Sequence, residues 1–196
     1  MVCPFCEKPS IGGFTHPICK RKFGLDGLWS LGLYEDPLRK AIQKLKYKYI
    51  KDYSEELVNL LLDYWVQNPP LILDRIKKDR GQGWIITGVP LHWQRQNWRG
   101  FNQSELIGSL LASRIGLDYQ NVLIRTKKTT PQVRLKGFER KQNIKNAFKV
   151  TTNPELITHN IILIDDVWTT GSTLKECTYI LKRNGAKSVY ALTIAS

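Results

Sequence analysis

The residues best suited to chemistry lie in one stretch, positions 161–173, which reads Ile-Ile-Leu-Ile-Asp-Asp-Val-Trp-Thr-Thr-Gly-Ser-Thr. Two adjacent carboxylates, Asp165 and Asp166, end an aliphatic run. Four hydroxyl residues, Thr169, Thr170, Ser172 and Thr173, surround Gly171. Backbone N–H groups in a small-residue loop attract anions, and the N-terminus of a following helix adds its dipole. The hydroxyls are further donors, and glycine allows close backbone approach. A phosphate held there leaves a sugar beside the carboxylates, which can accept hydrogen bonds from ribose hydroxyls or face Mg²⁺. The loop has no lysine, so it is not a Walker A loop. The plainer alternative, in which the acids end a strand and the threonines cap a helix, suits each residue singly but not the whole constellation.

The elements around this stretch must deliver it to a surface. Residues 161–164 are apolar without alternation, the pattern of a strand buried on both faces. After the loop, Leu174, Cys177, Ile180 and Leu181 recur at helical spacing, and Asn184-Gly185 provides a stop. The order is therefore strand, acidic pair, loop, helix.

A second constellation opens the chain. Cys3-Pro4-Phe5-Cys6, His16 and Cys19 form a possible Cys₃His set for one tetrahedral metal. Three of the four cysteines cluster there, which suits a metal better than a disulfide framework. The alternative is a lost site held by packing of Phe5, Phe14 and Phe23. No long apolar run crosses a bilayer, and Cys3 and Cys6 stand where a signal peptide needs apolar residues, so a cytoplasmic protein without membrane insertion is expected. The 196 residues carry 30 Lys and Arg against 17 Asp and Glu, a net charge of +13. Such an excess suits polyanionic partners, although solubility alone also favours net charge.

Between these ends, strands and helices alternate. Residues 28–34 read as a strand. Asp36 and Pro37 suit the N-cap and first position of a helix lined by Leu38, Ile42 and Leu45 and ending in Lys44, Lys46 and Lys48. Residues 54–66 form an amphipathic helix, residues 67–83 a connector with a short helix at 71–78, and residues 84–90 a second buried strand. A turn, Pro90-Leu91-His92-Trp93, follows, then a loop with Arg95, Arg99 and Gly100, then a helix opening at Phe101 and running to about residue 115. Residues 119–124 suit a strand, residues 125–148 are the longest polar run, and residues 188–194 supply a last strand. This alternation predicts an α/β fold with a mostly parallel twisted sheet. The composition shift near residue 27 marks a small N-terminal module, residues 1–27, before the main domain, residues 28–196.

Three motifs together carry a resemblance. Residues 161–173 resemble the phosphoribosyl pyrophosphate signature of type I phosphoribosyltransferases. The segment Arg99-Gly100-Phe101-Asn102-Gln103-Ser104 is similar to a hallmark of the ComF family. So is the set Thr130-Pro131-Gln132, Leu135, Glu139-Arg140, Asn143 and Ala147-Phe148. The chain resembles ComF proteins over nearly its whole length. The resemblance implies a type I phosphoribosyltransferase sheet and a zinc-ribbon-like N-terminal module, although Lys22 stands where paired Cys-x-x-Cys motifs place a ligand. It also implies that Val89-Pro90-Leu91 meets pyrophosphate, that Lys46 contacts phosphate, and that the segment with Gln132, Arg134, Lys136 and Arg140 closes over substrate.

Two functions follow. One is binding of phosphoribosyl pyrophosphate with Mg²⁺, with Asp165 and Asp166 as catalytic residues if phosphoribosyl is transferred. The other is a non-catalytic protein of the competence machinery, handling single-stranded DNA through Arg95, Arg99 and the basic run, with Trp93, Trp98 and Phe101 available to stack on bases.

Overall fold

The computed structural model describes residues 1–47, 52–127, 142–151 and 159–196, with only the backbone given for Lys46, Tyr47 and Asp52. Five strands form one parallel sheet in the order β1-β7-β6-β2-β3. They are β1 (Gly27–Gly32), β2 (Trp84–Gly88), β3 (Asp118–Tyr119), β6 (Asn160–Val167) and β7 (Ser188–Ala195). Strands β4 (Leu123–Arg125) and β5 (Phe148–Val150) pair antiparallel as a separate ribbon. The mostly parallel α/β sheet expected from the alternation is present.

Side-chain alternation explains why both faces are covered. Ile162 and Ile164 of β6 point into one core with Trp84, Ile86, Tyr190 and Leu192. Helices α1 (Leu38–Tyr47), α2 (Asp52–Gln67), α3 (Ile72–Lys78) and α5 (Gln103–Ile115) cover that face. Ile161 and Leu163 point into the other core, with Ile85, Val189 and Ala191. Helix α6 (Ser172–Arg183) closes it through Leu174, Cys177 and Leu181, beside the ribbon residues Leu123 and Phe148. A strand with no solvent face can carry polar groups only at its ends.

The N-terminal segment is stitched to the opposite edge. Asp26 N–H donates to Val189 O at 2.8 Å, and Asp26 Oδ2 accepts from Val189 N–H at 2.8 Å. The same carboxylate pairs with Lys182 at 2.7 Å. Phe14 packs edge-on against Trp29, and the Arg75 guanidinium lies 4.1 Å above its ring.

Several local expectations are corrected. The single strand expected over residues 119–124 divides in two. Gln120 N–H still bonds Ile86 O, but Val122 and Leu123 turn into the second core, so the chain leaves the sheet there and pairs with β5. Arg95 and Arg99 lie on a helix, α4 (Trp93–Arg99), rather than in a loop. His92 Nδ1 caps that helix by accepting from Gln94 N–H, and Gly100 ends it at φ 77°. Helix α5 opens at Gln103 because Asn102 Oδ1 accepts from Ser104 N–H and so caps it. Helix α1 begins at Leu38, not Pro37; the Asp36 carboxylate instead bridges Arg39 and Lys40 at the surface.

Strand β2 and α5 touch backbone to backbone at Gly88, where an added Cβ would stand 2.7 Å from both Glu105 N and Ser104 C. Neither backbone atom can move without shifting the helix start. Gly88→Ala should therefore cost about 1–3 kcal/mol, read as a lower denaturant midpoint at unchanged slope. An unchanged midpoint would show that α5 is not seated as described.

Candidate functional site

Parallel strands all end on one edge, and there β6 and β2 present the residues singled out above. Asp165 is half-buried and Asp166 is 7% exposed. Both stay within the strand, since Asp165 pairs with Thr193 of β7 and Val167 with Ala195. Thr169 is exposed, Thr170, Ser172 and Thr173 are half-buried, and Gly171 is buried. Thr170 Oγ1 and Ser172 Oγ share a hydrogen bond at 2.7 Å, and Ser172 N–H donates to Thr170 Oγ1 at 3.4 Å. Gly171 is the N-cap of α6 at φ 66° and offers no side-chain cap. The first-turn N–H groups therefore open onto a loop of hydroxyls, an arrangement that suits an anion.

The need for glycine at 171 has a second cause that the sequence did not show. A Cβ there would lie 2.2 Å from the indole of Trp168, which folds under the loop. Substitution would displace that ring as well as crowd a ligand. Lys175 belongs to this corner too. Its ammonium donates to Thr170 O at 3.3 Å and sits 5.0 Å above Trp168. The lysine missing from the loop is thus supplied by the first turn of α6, a position that only helical geometry folds back onto the loop.

Opposite the acidic pair stands the start of α5. Gln103 Nε2 donates to Asp166 Oδ2 at 2.8 Å, and Ser104 Oγ donates to Asp165 Oδ1 at 3.3 Å. Arg99 Nη1 donates to Gln103 Oε1 at 3.1 Å. Asn102 Nδ2 donates to Val89 O at 2.9 Å and so pins the loop that leaves β2. In Val89-Pro90-Leu91, proline has no N–H and the Val89 N–H is bonded to Ile164 O, so Leu91 carries the remaining N–H. Sequence reasoning singled out the segment holding Asn102, Gln103 and Ser104 without placing them at the acidic pair. Their contacts with Val89, Asp165 and Asp166 span 13 to 63 positions.

Arg125 reaches this region from the ribbon, half-buried, with its guanidinium 5.4 Å from the Phe148 ring centroid. Burial lowers it to about 10, the charge of Arg95 adds to that, and Asp165 opposes it. Lys46 is placed by its backbone alone, and Gln132, Arg134, Lys136 and Arg140 lie outside the described residues, as does the expected closing segment.

At the other end of the sheet, Cys3, Cys6, His16 and Cys19 come together, with one donor atom from each within 4.8 Å of the others. Zn–S bonds of about 2.3 Å in a tetrahedron separate sulfurs by roughly 3.8 Å, so the group is the right size. His16 Nε2 lies 3.0 Å from Pro9 O, and a carbonyl only accepts, so that nitrogen carries the proton. Nδ1, 3.4 Å from Cys6 Sγ, then turns its lone pair inward, as a ligand must. Burial acts to raise the Cys3 thiol, but donors from the backbone of Cys6, His16 and Phe5 outweigh it and bring it to about 7. Burial and the neighbouring Cys6 and Cys3 sulfurs push Cys19 to about 11. Lys22 lies over Phe23 instead, so His16 completes the set that Lys22 breaks.

Sequence comparison now places the chain. No family model matches it. It is 33% identical over 196 residues to DNA utilization protein YhgH of Salmonella typhimurium LT2, covering 96% of this chain and 81% of that protein. It is 30% identical over 178 residues to Competence protein F of Haemophilus influenzae Rd, covering 90% and 75%. With Competence protein ComFC of Bacillus subtilis 168 the identity is 24% over 203 residues, covering 98% and 77%. The chain belongs to the ComF family. A solved "Structure of the allosteric regulatory enzyme of purine biosynthesis" overlaps it at a TM-score of 0.38 and 18% identity, over 56% of this chain and 21% of that one, too partial a likeness to bear on function. Among the described residues no helix is long and apolar enough to cross a membrane.

The donor set predicts about one zinc per chain by elemental analysis of the purified protein. Chelation should lower the melting temperature, because the segment holding the ligands is bonded into β7 and α6. Protein free of zinc that melts at the same temperature before and after chelator would exclude a structural metal.

Proposed function

We propose that the protein binds phosphoribosyl pyrophosphate with Mg²⁺ at the C-terminal edge of its sheet and is built to transfer the phosphoribosyl group. The observation that carries this reading is the convergence of the acidic pair with the hydroxyl loop of residues 169–173 on one strand end, faced by the start of α5. The loop and the N-terminus of α6, with Lys175 beside them, receive the 5-phosphate. The acidic strand end lies where the ribose then falls. Leu91 N–H, Arg95 and Arg125 lie toward the pyrophosphate side.

Transfer is substitution at the anomeric carbon through an oxocarbenium-like state. The fixed negative charge of the acidic strand end, presented by Asp165, stabilises the positive charge that develops on the sugar, and nearby guanidinium groups stabilise the leaving pyrophosphate. No nucleophilic side chain is required, since the acceptor supplies the attacking atom. The half-buried Asp165 carboxylate is a hard oxygen donor of the kind Mg²⁺ takes. Asp165 would hold such a cation, which would supply neutralisation of the charge developing on the leaving pyrophosphate.

A second reading rests on α4. Trp93 and Trp98 are 60% and 64% exposed, on the same helix as Arg95 and Arg99. Exposed rings among cations suit stacking on single-stranded nucleic acid. The relatives named DNA utilization protein and Competence protein F agree with such a role, within or beside the competence machinery.

Two measurements follow. Calorimetric titration with phosphoribosyl pyrophosphate and Mg²⁺ should show binding, and Asp165→Asn with Asp166→Asn should weaken it by roughly 10–100-fold without unfolding the chain. Absence of heat and of thermal shift for the unaltered protein would falsify the ribose-phosphate assignment. For the second reading, affinity for an oligo(dT) strand should fall steeply as salt rises, and Trp93→Ala with Trp98→Ala should cost about 1–3 kcal/mol per stacked base. Salt-independent or unaltered binding removes α4 from that role.

A further inference from the structure

We propose that Asp165 and Asp166 do not act alike: Asp165 contacts the ligand, while Asp166 is a positioning residue held by the relay Arg99–Gln103–Asp166. The proposal deepens the ribose-phosphate reading and rests on it. Arg99 Nη1 donates to Gln103 Oε1 at 3.1 Å, and Gln103 Nε2 donates to Asp166 Oδ2 at 2.8 Å. The direction of this chain is dictated by chemistry. A guanidinium can only donate, so the Gln103 oxygen must face Arg99. The amide NH₂ must then face Asp166, which must accept.

Burial separates the two acids. Gln103 is 4% exposed and Asp166 7%, so their hydrogen bond is shielded from water. Gln103 is also the first residue of α5, whose positive N-terminal end favours the Asp166 charge. Asp165 is the more exposed of the two. Its Oδ1 accepts from Ser104 Oγ at 3.3 Å and from Asp166 N–H at 2.9 Å. Asp166 thus fixes the strand-end backbone that aims Asp165, through its own N–H and through its anchorage on α5. The relay also crosses from α4 to the strand end, so one side chain on the Trp-bearing helix sets the amide that holds the acidic pair.

The test exploits polarity. Gln103→Leu removes the donor, and Gln103→Glu sets a carboxylate against Asp166. Each should weaken binding of phosphoribosyl pyrophosphate with Mg²⁺ by at least about ten-fold in the full-length protein, the scale of a charge-assisted hydrogen bond. Combining Gln103→Glu with Asp166→Asn restores the bond with donor and acceptor exchanged, the introduced carboxylate still accepting from Arg99. If Asp166 only positions, this double variant recovers affinity to within about two-fold of the starting protein, the scatter expected of independent sites. Asp165→Asn should stay weak in every background. A double variant that melts normally yet binds as weakly as Gln103→Glu would overturn the proposal, because Asp166 would then be touching the ligand. So would a Gln103→Leu variant that binds like the starting protein. Melting of the ligand-free variants judges the relay separately, with restored stability in the exchanged pair supporting it and simple additivity overturning it. No binding by the starting protein, with a restored melt in the exchanged pair, would remove the ribose-phosphate reading and leave the relay standing.

Discussion

The structure depends on the burial of β6. This strand sits between β7 and β2, hydrogen-bonded on both sides, with Ile161 and Leu163 in one core and Ile162 and Ile164 in the other. A strand so placed tolerates no polar side chain in its middle, so its polar residues, Asn160, Asp165 and Asp166, stand toward its two ends. In a parallel sheet all C-terminal ends share one edge. The acids of β6, the Val89 loop of β2 and the starts of α5 and α6 meet there as a consequence of the packing.

The two ends of β6 divide the labour of the molecule. At the C-terminal edge, backbone N–H groups, hydroxyls and cations are gathered around a carboxylate pair. At the N-terminal edge, the Cys₃His group anchors a segment whose Asp26 bonds Val189 and Lys182. Eight residues of β6 extend over roughly 26 Å at the usual strand rise. A metal in the cysteine group would therefore act by cross-linking the fold, with no direct contact at the acidic pair.

Charge at the candidate site is arranged by depth. Asp166 lies deepest and is met by an amide and a helix start. Asp165 is shallower and is met by a hydroxyl. Arg125 is half-buried despite its charge, with an aromatic face beneath it and Asp165 near it. Lys175 and the α4 residues form the outer rim. Neutral donors inside and cations outside suit a ligand that is itself anionic, because its charges meet counter-charges at the rim while Asp165 stays the more exposed carboxylate.

Much of this was legible along the chain. The unalternating run at residues 161–164, the acids after it and the hydroxyls around Gly171 are contiguous, so local rules of strand burial and anion nests apply directly. The alternation of strands and helices gave the parallel sheet for the same reason. The Cys₃His set was legible from spacing, although the choice of Nδ1 as its histidine donor depends on Pro9. What the sequence could not determine are the contacts between distant segments. Gln103 and Ser104 meet the acidic pair across 63 and 61 positions, Trp168 rather than a ligand alone demands glycine at 171, and Val122 leaves the sheet because a second core lies within reach. Periodicity encodes which side of an element is apolar, and so which residues are buried. Which buried polar groups satisfy one another is decided only when the layers close, since each donor takes the acceptor that packing brings within about 3 Å.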